Sequence, residues 1–237
     1  MDTPSDPGRI GFICAMPMEL RPLARKLSLQ RAQIGGVTAH TGTLGGRPVV
    51  AIVTGMGPKL ATEGTERLLD AVAVDRVVVV GITGAVENVT PIGTLVLPEV
   101  VVDGATGTEH RPEPLGGGTP HGKMWTTDVI LTGEDVIAGL RAQGVVSLDM
   151  ETAAIAEVCE QRRIPWSVFR VISDRATDGS IDDEVFHLSH QDGTPDGRAV
   201  ARFLLRHPGR IPGMVRLARG AKLATEAAAD AAIRACS

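Results

Sequence analysis

Aromatic residues are scarce in this chain of 237 residues. They make up 3% of the sequence, and tyrosine is absent. The apolar share of 43% therefore comes mainly from aliphatic side chains and alanine. Stacking rings are the usual platform for single-stranded nucleic acids, and this chain has few of them. A net charge of −4 also gives no basic footprint, so the composition argues against a nucleic-acid partner.

Cysteine is also rare. Cys14, Cys159 and Cys236 form no CxxC pair and are odd in number, which favours buried, reduced thiols in a cytoplasmic protein. The polar, acidic start MDTPSDPGR does not resemble a signal peptide. No apolar run reaches the roughly 18 residues that a membrane span needs. We therefore expect a cytoplasmic protein without a membrane span.

Apolar runs and helical stripes alternate along the chain. This alternation is typical of an α/β fold, and the absence of a linker or an internal repeat favours one domain. We predict a single three-layer domain over residues 1–237, with a central mixed, mostly parallel sheet flanked by helices and a loose leader at residues 1–8. The main strands are predicted at Ile10–Ala15, Thr38–Leu44, Pro48–Thr54, Arg76–Val80, Thr94–Val102, Val145–Leu148 and Trp166–Ser173. The helices are predicted at Met18–Leu29, Pro58–Ala73, Gly133–Gln143, Met150–Arg163, Ala199–Arg206 and Met214–Arg234. Asp103–Trp125, which follows the predicted strand Thr94–Val102, is predicted to be a surface loop.

Three carboxylates lie at junctions between these elements. Glu19 follows the first strand, Glu151 opens a helix after Leu148, and Asp174 follows the strand that ends at Ser173. The carboxyl ends of parallel strands meet at one edge, so the three acids can converge in one crevice. Desolvation and repulsion raise the pKa of clustered carboxylates, and such clusters are usually functional or bind metals. Three unrelated acids that complement helix dipoles are the alternative, which the pattern alone leaves open.

Two glycine-rich loops also follow predicted strands. Gly55–Lys59 precedes a helix, and Gly81–Ala85 follows the most apolar strand. Such loops can bind a ligand through the backbone, although both can equally be tight turns. Neither matches a Walker or Rossmann fingerprint. The histidines lack spaced ligand partners, including the HxxH pair His187 and His190, so no metal site is predicted.

Five stretches together resemble the nucleoside phosphorylase/nucleosidase superfamily, nearest to its methylthioadenosine/S-adenosylhomocysteine nucleosidase branch. They are GFICAMPME, VTGMGPK, VVGITGA, SLDMETAAIA and RVISDRATD, which begin at residues 11, 53, 79, 147 and 170. SLDMETAAIA with RVISD is the specific part of the resemblance. It implies an enzyme that hydrolyses the N-glycosidic bond of an adenosine-type, 5′-modified nucleoside. It also implies no cofactor, a small-molecule nucleoside as the partner, and a homo-oligomer, most simply a dimer.

The resemblance also implies roles for individual residues. Glu19 would activate the attacking water, and Asp174 would hydrogen-bond the purine and help protonate N7. Glu151 would hold the ribose hydroxyls. The remaining substrate-binding positions are Gly57, Ile82, Thr83, Gly84, Val136, Ile137 and Met150. These roles agree with the chemistry, because cleavage builds positive charge on the sugar and negative charge on the leaving purine.

Two departures from the family pattern bear on the activity. Val136 stands where the nucleosidases often stack an aromatic ring, which leaves the base preference open. Val79 and Ile82 stand where the phosphorylases carry an arginine and a hydroxyl residue for phosphate. We therefore expect water as the nucleophile. A phosphorylase with phosphate bound near Gly57 or Lys59, and a nucleoside-binding protein without activity, are the alternative hypotheses.

Overall fold

The computed structural model describes residues 8–131, 133–176, 183–190 and 192–237. Strands and helices alternate within them, as the sequence predicts. The strands are β1 (Ile10–Cys14), β2 (Gln30–Ile34), β3 (Val37–Leu44), β4 (Arg47–Val53), β5 (Arg76–Ala85), β6 (Leu95–Val96), β7 (Val100–Asp103), β8 (Glu109–His110), β9 (Lys123–Thr126), β10 (Val145–Asp149) and β11 (Trp166–Arg175). The helices are α1 (Pro17–Lys26), α2 (Pro58–Ala71), α3 (Glu134–Ala142), α4 (Thr152–Gln161), α5 (Asp183–Phe186), α6 (Gly197–Arg206) and α7 (Ile211–Cys236), with a 3₁₀ turn at Pro208–Arg210 between the last two.

All of these strands join one mixed sheet. The order is β2-β3-β4-β1-β5-β10-β9-β7-β8, and β11 pairs with both β5 and β6. The centre is parallel, since β4, β1, β5 and β11 run in the same direction. Strands β10, β9 and β7 form a second parallel group, joined to β5 by an antiparallel pairing. The remaining pairings, at the ends of the sheet and to β6, are antiparallel.

Helices cover both faces of the sheet. The core on one face contains side chains of β1, β5 and β11 packed with α1 and α7, such as Phe12 and Ala228. The core on the other face contains the alternate side chains of the same strands packed with α2 and α4, such as Val79 and Ala156. Alternation of side chains along a strand explains how one run of valines serves both layers. The predicted three-layer α/β architecture with a mixed sheet is confirmed.

Three predicted segments differ from the structure. The predicted strand Thr94–Val102 is two strands, β6 and β7, because Pro98 between them has no N–H to donate to a ladder. The predicted loop Asp103–Trp125 contains β8 and the start of β9, which lies between two other strands. Strand β5 continues to Ala85, through residues that the sequence predicted to be a loop. Of the predicted leader 1–8, residues 1–7 lie outside the described residues.

Candidate active site

A gap along one edge of β5 sets the position of the site. Strand β1 pairs with β5 only as far as Val79, and β10 pairs with the same edge from Gly84 onward. Ile82 lies between these pairings, so no strand takes its backbone groups on this edge. Buried backbone groups need partners, and side chains supply them here. The side chains that fill the gap are those of Glu19 and Arg170.

Arg170 is the centre of the site. It lies in the middle of β11 and is among the largest fully buried side chains of the chain. Its Nη1 donates to the Ile82 carbonyl oxygen at 3.0 Å and lies 3.4 Å from Glu19 Oε1. Its Nη2 donates to Asp149 Oδ2 at 2.8 Å and lies 3.3 Å from Glu151 Oε2. One buried guanidinium thus faces three buried carboxylates.

Glu19 is enclosed by protein donors. It is the third residue of α1, and its Oε2 accepts the backbone N–H groups of Ala15 at 2.8 Å and Met16 at 2.9 Å. Its Oε1 accepts the N–H of Ile82 at 2.8 Å. The bond to Met16 is a helix-capping contact. The alternative interpretation, that Glu19 serves the start of a helix, is therefore partly correct. The same side chain nevertheless reaches β5 and Arg170, which a simple cap does not do.

Glu151 lies opposite Glu19, across Arg170. It precedes the first residue of α4, directly after β10, as its position in the sequence predicts. Its Oε1 accepts the N–H of Gly57 at 2.9 Å, and Gly57 caps the start of α2 with a φ of +92°. A non-glycine residue would be strained at that φ. The glycine loop predicted as a ligand site therefore uses this amide to hold Glu151.

Asp149 completes the cluster and was not predicted from the sequence. Its Oδ1 accepts the Thr126 hydroxyl at 2.6 Å, and its Oδ2 accepts the N–H of Thr152 at 2.9 Å as well as the hydroxyl of that residue. These bonds fix a buried carboxylate at the end of β10 and the start of α4. Asp149 therefore orients Arg170 from the side opposite β5.

Asp174 lies further along β11, beyond a bulge between Ile172 and Asp174. It pairs with Gly84 on β5, and its carboxylate accepts the hydroxyl of Ser173. It lies four positions after Arg170, which corresponds to about 13 Å along a strand. The third acid therefore stands beside the arginine cluster rather than within it, and is only half-buried.

The remaining predicted positions fall into two groups. Thr83 is buried, and its hydroxyl donates to the Leu148 carbonyl oxygen at 2.6 Å, so it joins β5 to β10. Met150 is half-buried between the two acids of the β10–α4 junction. Val136 and Ile137 lie on α3, where Val136 is 48% exposed and Ile137 is fully buried with residues such as Leu140. No described contact joins these two residues to Arg170.

Burial sets the protonation of the two glutamates. Desolvation raises the pKa of Glu19, although Arg170 and three backbone N–H groups oppose the shift. Desolvation also raises the pKa of Glu151 to about 7; Arg170 lowers it and Asp149 raises it. Burial alone would lower the pKa of Arg170, but the carboxylates outweigh that effect and raise it. The site therefore holds a permanent cation and one acid, Glu151, that can exchange a proton near neutral pH.

Arg170 was missed because the run WSVFRVISD predicts only a buried strand. A signal was present, since a single charge inside an apolar strand must find opposite charges when the strand is buried on both faces. Asp149 gave a weaker signal, as an acid at a strand end. In the part of the chain that the structure describes, no group of three or more histidine, cysteine or acidic side chains is placed to hold a metal ion.

A sequence model of the phosphorylase superfamily matches residues 9–120 and 115–206, which is most of the chain. The chain belongs to the phosphorylase superfamily.

Individual relatives are similar at lower identity. A 5′-methylthioadenosine/S-adenosylhomocysteine nucleosidase of Colwellia psychrerythraea is 28% identical over 204 residues, 71% of this chain and 84% of that protein. A structure of the corresponding nucleosidase from S. pneumoniae with a transition-state inhibitor has a TM-score of 0.71 at 21% identity, covering 97% of this chain and all of the other. A futalosine hydrolase of Helicobacter pylori has a TM-score of 0.70 at 16% identity, covering 94% and 95% of the two chains.

Proposed function

We propose that this protein is a purine nucleosidase, which hydrolyses the N-glycosidic bond of an adenosine-type nucleoside with a modified 5′ position. The observation that carries the proposal is the pair of buried glutamates held around Arg170 in the gap of β5, with Asp174 beside them. Named relatives of the chain are nucleosidases for methylthioadenosine and S-adenosylhomocysteine, which supports the same substrate class.

Glu151 and Met150 are proposed to hold the ribose. A carboxylate beside the sugar stabilises the positive charge that develops as the glycosidic bond breaks. The raised pKa of Glu151, about 7, suits this role because a partly neutral acid can also donate a hydrogen bond to a ribose hydroxyl. Gly57 and Arg170 fix its two oxygens, which limits the orientations of the carboxyl group.

Glu19 is proposed to activate the attacking water. The raised pKa of this acid makes it a stronger base than an exposed glutamate. Three of its four contacts are backbone N–H bonds of 2.8–2.9 Å, and the contact to Arg170 is longer, at 3.4 Å. A water molecule would enter at this weakest contact, between Glu19 Oε1 and the guanidinium.

Asp174 is proposed to protonate the leaving purine at N7. The acid lies at the end of β11, beyond the ribose-binding residues, where the base of a bound nucleoside would extend. Ser173 donates to one carboxylate oxygen, and the other oxygen lies towards Gly84. The missing side chain of Gly84 leaves room beside this oxygen, since a Cβ there would lie 3.3 Å from Asp174 Oδ2.

The direct test is release of free base in phosphate-free buffer. The purified protein is incubated with methylthioadenosine, S-adenosylhomocysteine and adenosine, and adenine and the free sugar are quantified by chromatography. We expect adenine from at least one 5′-modified substrate, and the free sugar rather than a sugar 1-phosphate. Absence of free base from all three substrates would contradict the proposal.

A phosphorylase is the second candidate, because the superfamily includes such enzymes. The described contacts disfavour a phosphate site at Gly57, one of the places where the sequence left one open, and at Arg170. The Gly57 amide is used by Glu151, and the positive charge of Arg170 is already balanced by three carboxylates. Strict dependence of base release on phosphate, with a sugar 1-phosphate as product, would establish this candidate instead.

A binding protein without catalytic activity is the third candidate, because Val136 offers no ring for a purine. It predicts nucleoside binding without turnover, with the same affinity after Glu19→Gln. We further propose a cytoplasmic homodimer, as in the resemblance that the sequence shows. Exposed Val89 and Val129, together with Val136, supply apolar surface for such a contact. Sedimentation velocity at several concentrations tests the dimer, and cell fractionation tests the location.

No helix in the described ranges combines the length and the apolar character needed to cross a bilayer.

A further inference from the structure

Thr126 connects strand β9 to the cluster around Arg170. It is the last residue of β9, and its side chain is buried. Its hydroxyl donates to Asp149 Oδ1 at 2.6 Å, and the hydroxyl oxygen accepts the N–H of Ala153 in α4 at 3.0 Å. A threonine hydroxyl has one proton to donate, and here that proton is directed at the carboxylate. Thr126 therefore fixes one oxygen of Asp149 from the neighbouring strand.

The other oxygen of Asp149 is directed at Arg170. Asp149 Oδ2 accepts Arg170 Nη2 at 2.8 Å and the N–H of Thr152 at 2.9 Å. The hydroxyl of Thr152 donates to the same oxygen and lies 3.2 Å from Nη2. A distance of 2.8 Å is typical of a strong bond between an ionised donor and a carboxylate. The carboxylate of Asp149 is therefore held between two threonines and faces the guanidinium.

Glu151 shares the same guanidinium nitrogen with Asp149. Arg170 Nη2 lies 3.3 Å from Glu151 Oε2, compared with 2.8 Å for the bond to Asp149. The nitrogen has two N–H groups, whereas three oxygens surround it when the hydroxyl of Thr152 is included. Asp149 takes the shorter bond and leaves the weaker one to Glu151. A carboxyl group with a weaker cationic partner holds its proton more tightly.

The charged groups that act on Glu151 come from three elements. Arg170 of β11 is the cation, and the anions are Asp149 of β10 and Glu19 of α1. Burial has the largest effect and raises the pKa of Glu151, Arg170 lowers it, and the charge of Asp149 raises it again. Glu19 also raises it, but less than Asp149 does. Asp149 is therefore the acid whose charge and position affect Glu151 most.

We propose that Asp149 is a positioning residue that controls the protonation of Glu151 through Arg170, and that Thr126 holds Asp149 in place for this task. This inference rests on the proposed function, in which Glu151 holds the ribose. Asp149 acts by its own charge and by occupying Nη2, and Thr126 acts by fixing the carboxylate. The ionised form of Glu151 stabilises positive charge on the sugar. Asp149 and Thr126 therefore set the acidic limb of the pH profile of activity.

Titration of Glu151 by NMR tests the proposal without any need for activity. The protein is labelled with glutamate that carries ¹³C at the side-chain carboxyl, and the Glu151 resonance is identified by its absence in Glu151→Gln. We expect the wild-type resonance to titrate with a midpoint at about pH 7. Asp149→Asn should lower this midpoint by about one pH unit, because it removes a negative charge and frees Nη2 for Glu151. Asp70→Asn is the control, since Asp70 is an exposed partner of Arg162 and should leave the midpoint unchanged.

Two changes at Thr126 separate positioning from packing. Thr126→Val keeps the shape of the side chain but removes the hydroxyl, so the carboxylate of Asp149 can turn away from Arg170 Nη2. The midpoint of Glu151 should then fall, by less than in Asp149→Asn. Thr126→Ser keeps the hydroxyl and should give the wild-type midpoint. Neither change removes a charge, so both variants should fold even if Asp149→Asn does not, and urea denaturation checks this.

The pH profile of kcat/KM gives the functional readout. Its acidic limb should move to lower pH in Asp149→Asn and Thr126→Val, and stay in place in Thr126→Ser. An unchanged Glu151 midpoint in Asp149→Asn, or in Thr126→Val if the first variant does not fold, would overturn the proposal. Equal midpoints in Thr126→Val and Thr126→Ser would remove Thr126 from it, and a shifted midpoint with an unshifted limb would show that Glu151 does not set the limb. Absence of base release together with the expected NMR shifts would contradict the nucleosidase activity alone.

Discussion

Arg170 determines the electrostatics of the site at the scale of single residues. Among the described residues it is the buried cation that contacts Glu19, Asp149 and Glu151, and it also donates to the Ile82 carbonyl oxygen of β5. The ion pairs of Arg170 add little net stability, but removal of the arginine is expected to be strongly destabilising. A buried ion pair is weakly stabilising as a whole, whereas removal of one partner leaves uncompensated charge.

Arg170→Gln should therefore destabilise the protein by about 3–5 kcal/mol. The amide cannot neutralise Glu19, Asp149 and Glu151, so those acids must take up protons or remain buried and charged. Urea denaturation at pH 7.5 measures the loss. Arg67→Gln is the control, since its pair with Glu63 spans 3.6 Å between exposed side chains and should change stability by less than about 1 kcal/mol. Similar effects of the two changes would show that Arg170 does not support the cluster.

The raised pKa of Glu151 predicts a pH dependence of stability. Its pKa is about 7 in the folded protein and 4.5 for a free glutamate, so the folded state binds the proton more tightly. The contribution of Glu151 to the free energy of unfolding is therefore largest at low pH, and it falls as the pH rises from about 4.5 to about 7. We expect the stability gain of Glu151→Gln over wild type to increase across this window, by up to about 3 kcal/mol. Urea denaturation of both proteins at pH 5 and 7.5 measures the difference, which cancels the contributions of other groups. A constant difference would show that Glu151 has an ordinary pKa.

Asp174→Asn should reduce turnover by about 10²–10⁴-fold, the usual contribution of a general acid. An amide cannot protonate N7, but its oxygen can still accept the Ser173 hydroxyl, so folding should be nearly unchanged. Steady-state kinetics should show a large fall in kcat with little change in KM, and circular dichroism should show the same melting curve. Wild-type kcat in this variant would remove Asp174 from the mechanism.

At the scale of elements, the sequence predicted strands by their apolar runs and therefore found those in the centre of the sheet. Strand β2 (QRAQI) was missed because it pairs on one side only and carries mostly exposed polar side chains. Strand β9 was missed because Lys123–Thr126 is short and follows a loop rich in glycine and proline. The continuation of β5 through Gly81 to Ala85 was also missed, since glycines normally weaken strands.

The reason for a glycine at position 81 became visible only in the structure. A Cβ there would overlap Glu19 Oε1 and lie 2.6 Å from Arg170 Nη1. The sequence predicted Glu19, Glu151 and Asp174 as site residues because each stands at the end of a recognisable run. It did not locate Arg170 or Asp149, because their partners come from separate elements whose packing the sequence pattern does not specify.

Docking of α7 on the sheet depends on another glycine. Gly220 lies against the end of β11, and a methyl group there would overlap the Ser173 carbonyl oxygen. Gly220→Ala should therefore destabilise the protein by about 1–3 kcal/mol and lower activity, because the overlap displaces the backbone beside Asp174. Gly139→Ala in α3 is the matched control. Apart from the backbone of α3 itself, no atom of the described residues lies within 4 Å of the added methyl, so this change should stabilise the helix by about 0.5–1 kcal/mol. Thermal melts with parallel assays of base release test both; equal and small effects would mean that α7 adjusts freely.

At the scale of the whole molecule, the reactivity of the three cysteines shows whether a region opens locally or only when the whole protein unfolds. All are free and buried, and burial raises their pKa values, to about 12 for Cys159 and about 11 for Cys236. Native protein should therefore react slowly with a thiol reagent at pH 8. Cys236 should react first, because the last turn of α7 can fray, whereas Cys14 and Cys159 lie in the core and need global unfolding. Mass spectrometry of peptides after timed labelling gives the order, and fast labelling of Cys14 in native buffer would contradict it.

The hydrogen bonds of the site span long stretches of chain. Glu19 and Arg170 are 151 residues apart, Gly57 and Glu151 are 94 apart, and Glu19 and Ile82 are 63 apart. Closing such loops costs entropy, and contacts of this kind slow the folding of a chain. The site is complete only when α1, β5, β10 and β11 are all in place, because Arg170 takes its partners from these elements. During synthesis, ligand affinity therefore arises only after β11 has left the ribosome, and a nucleoside that binds will select the completed fold over every shorter intermediate.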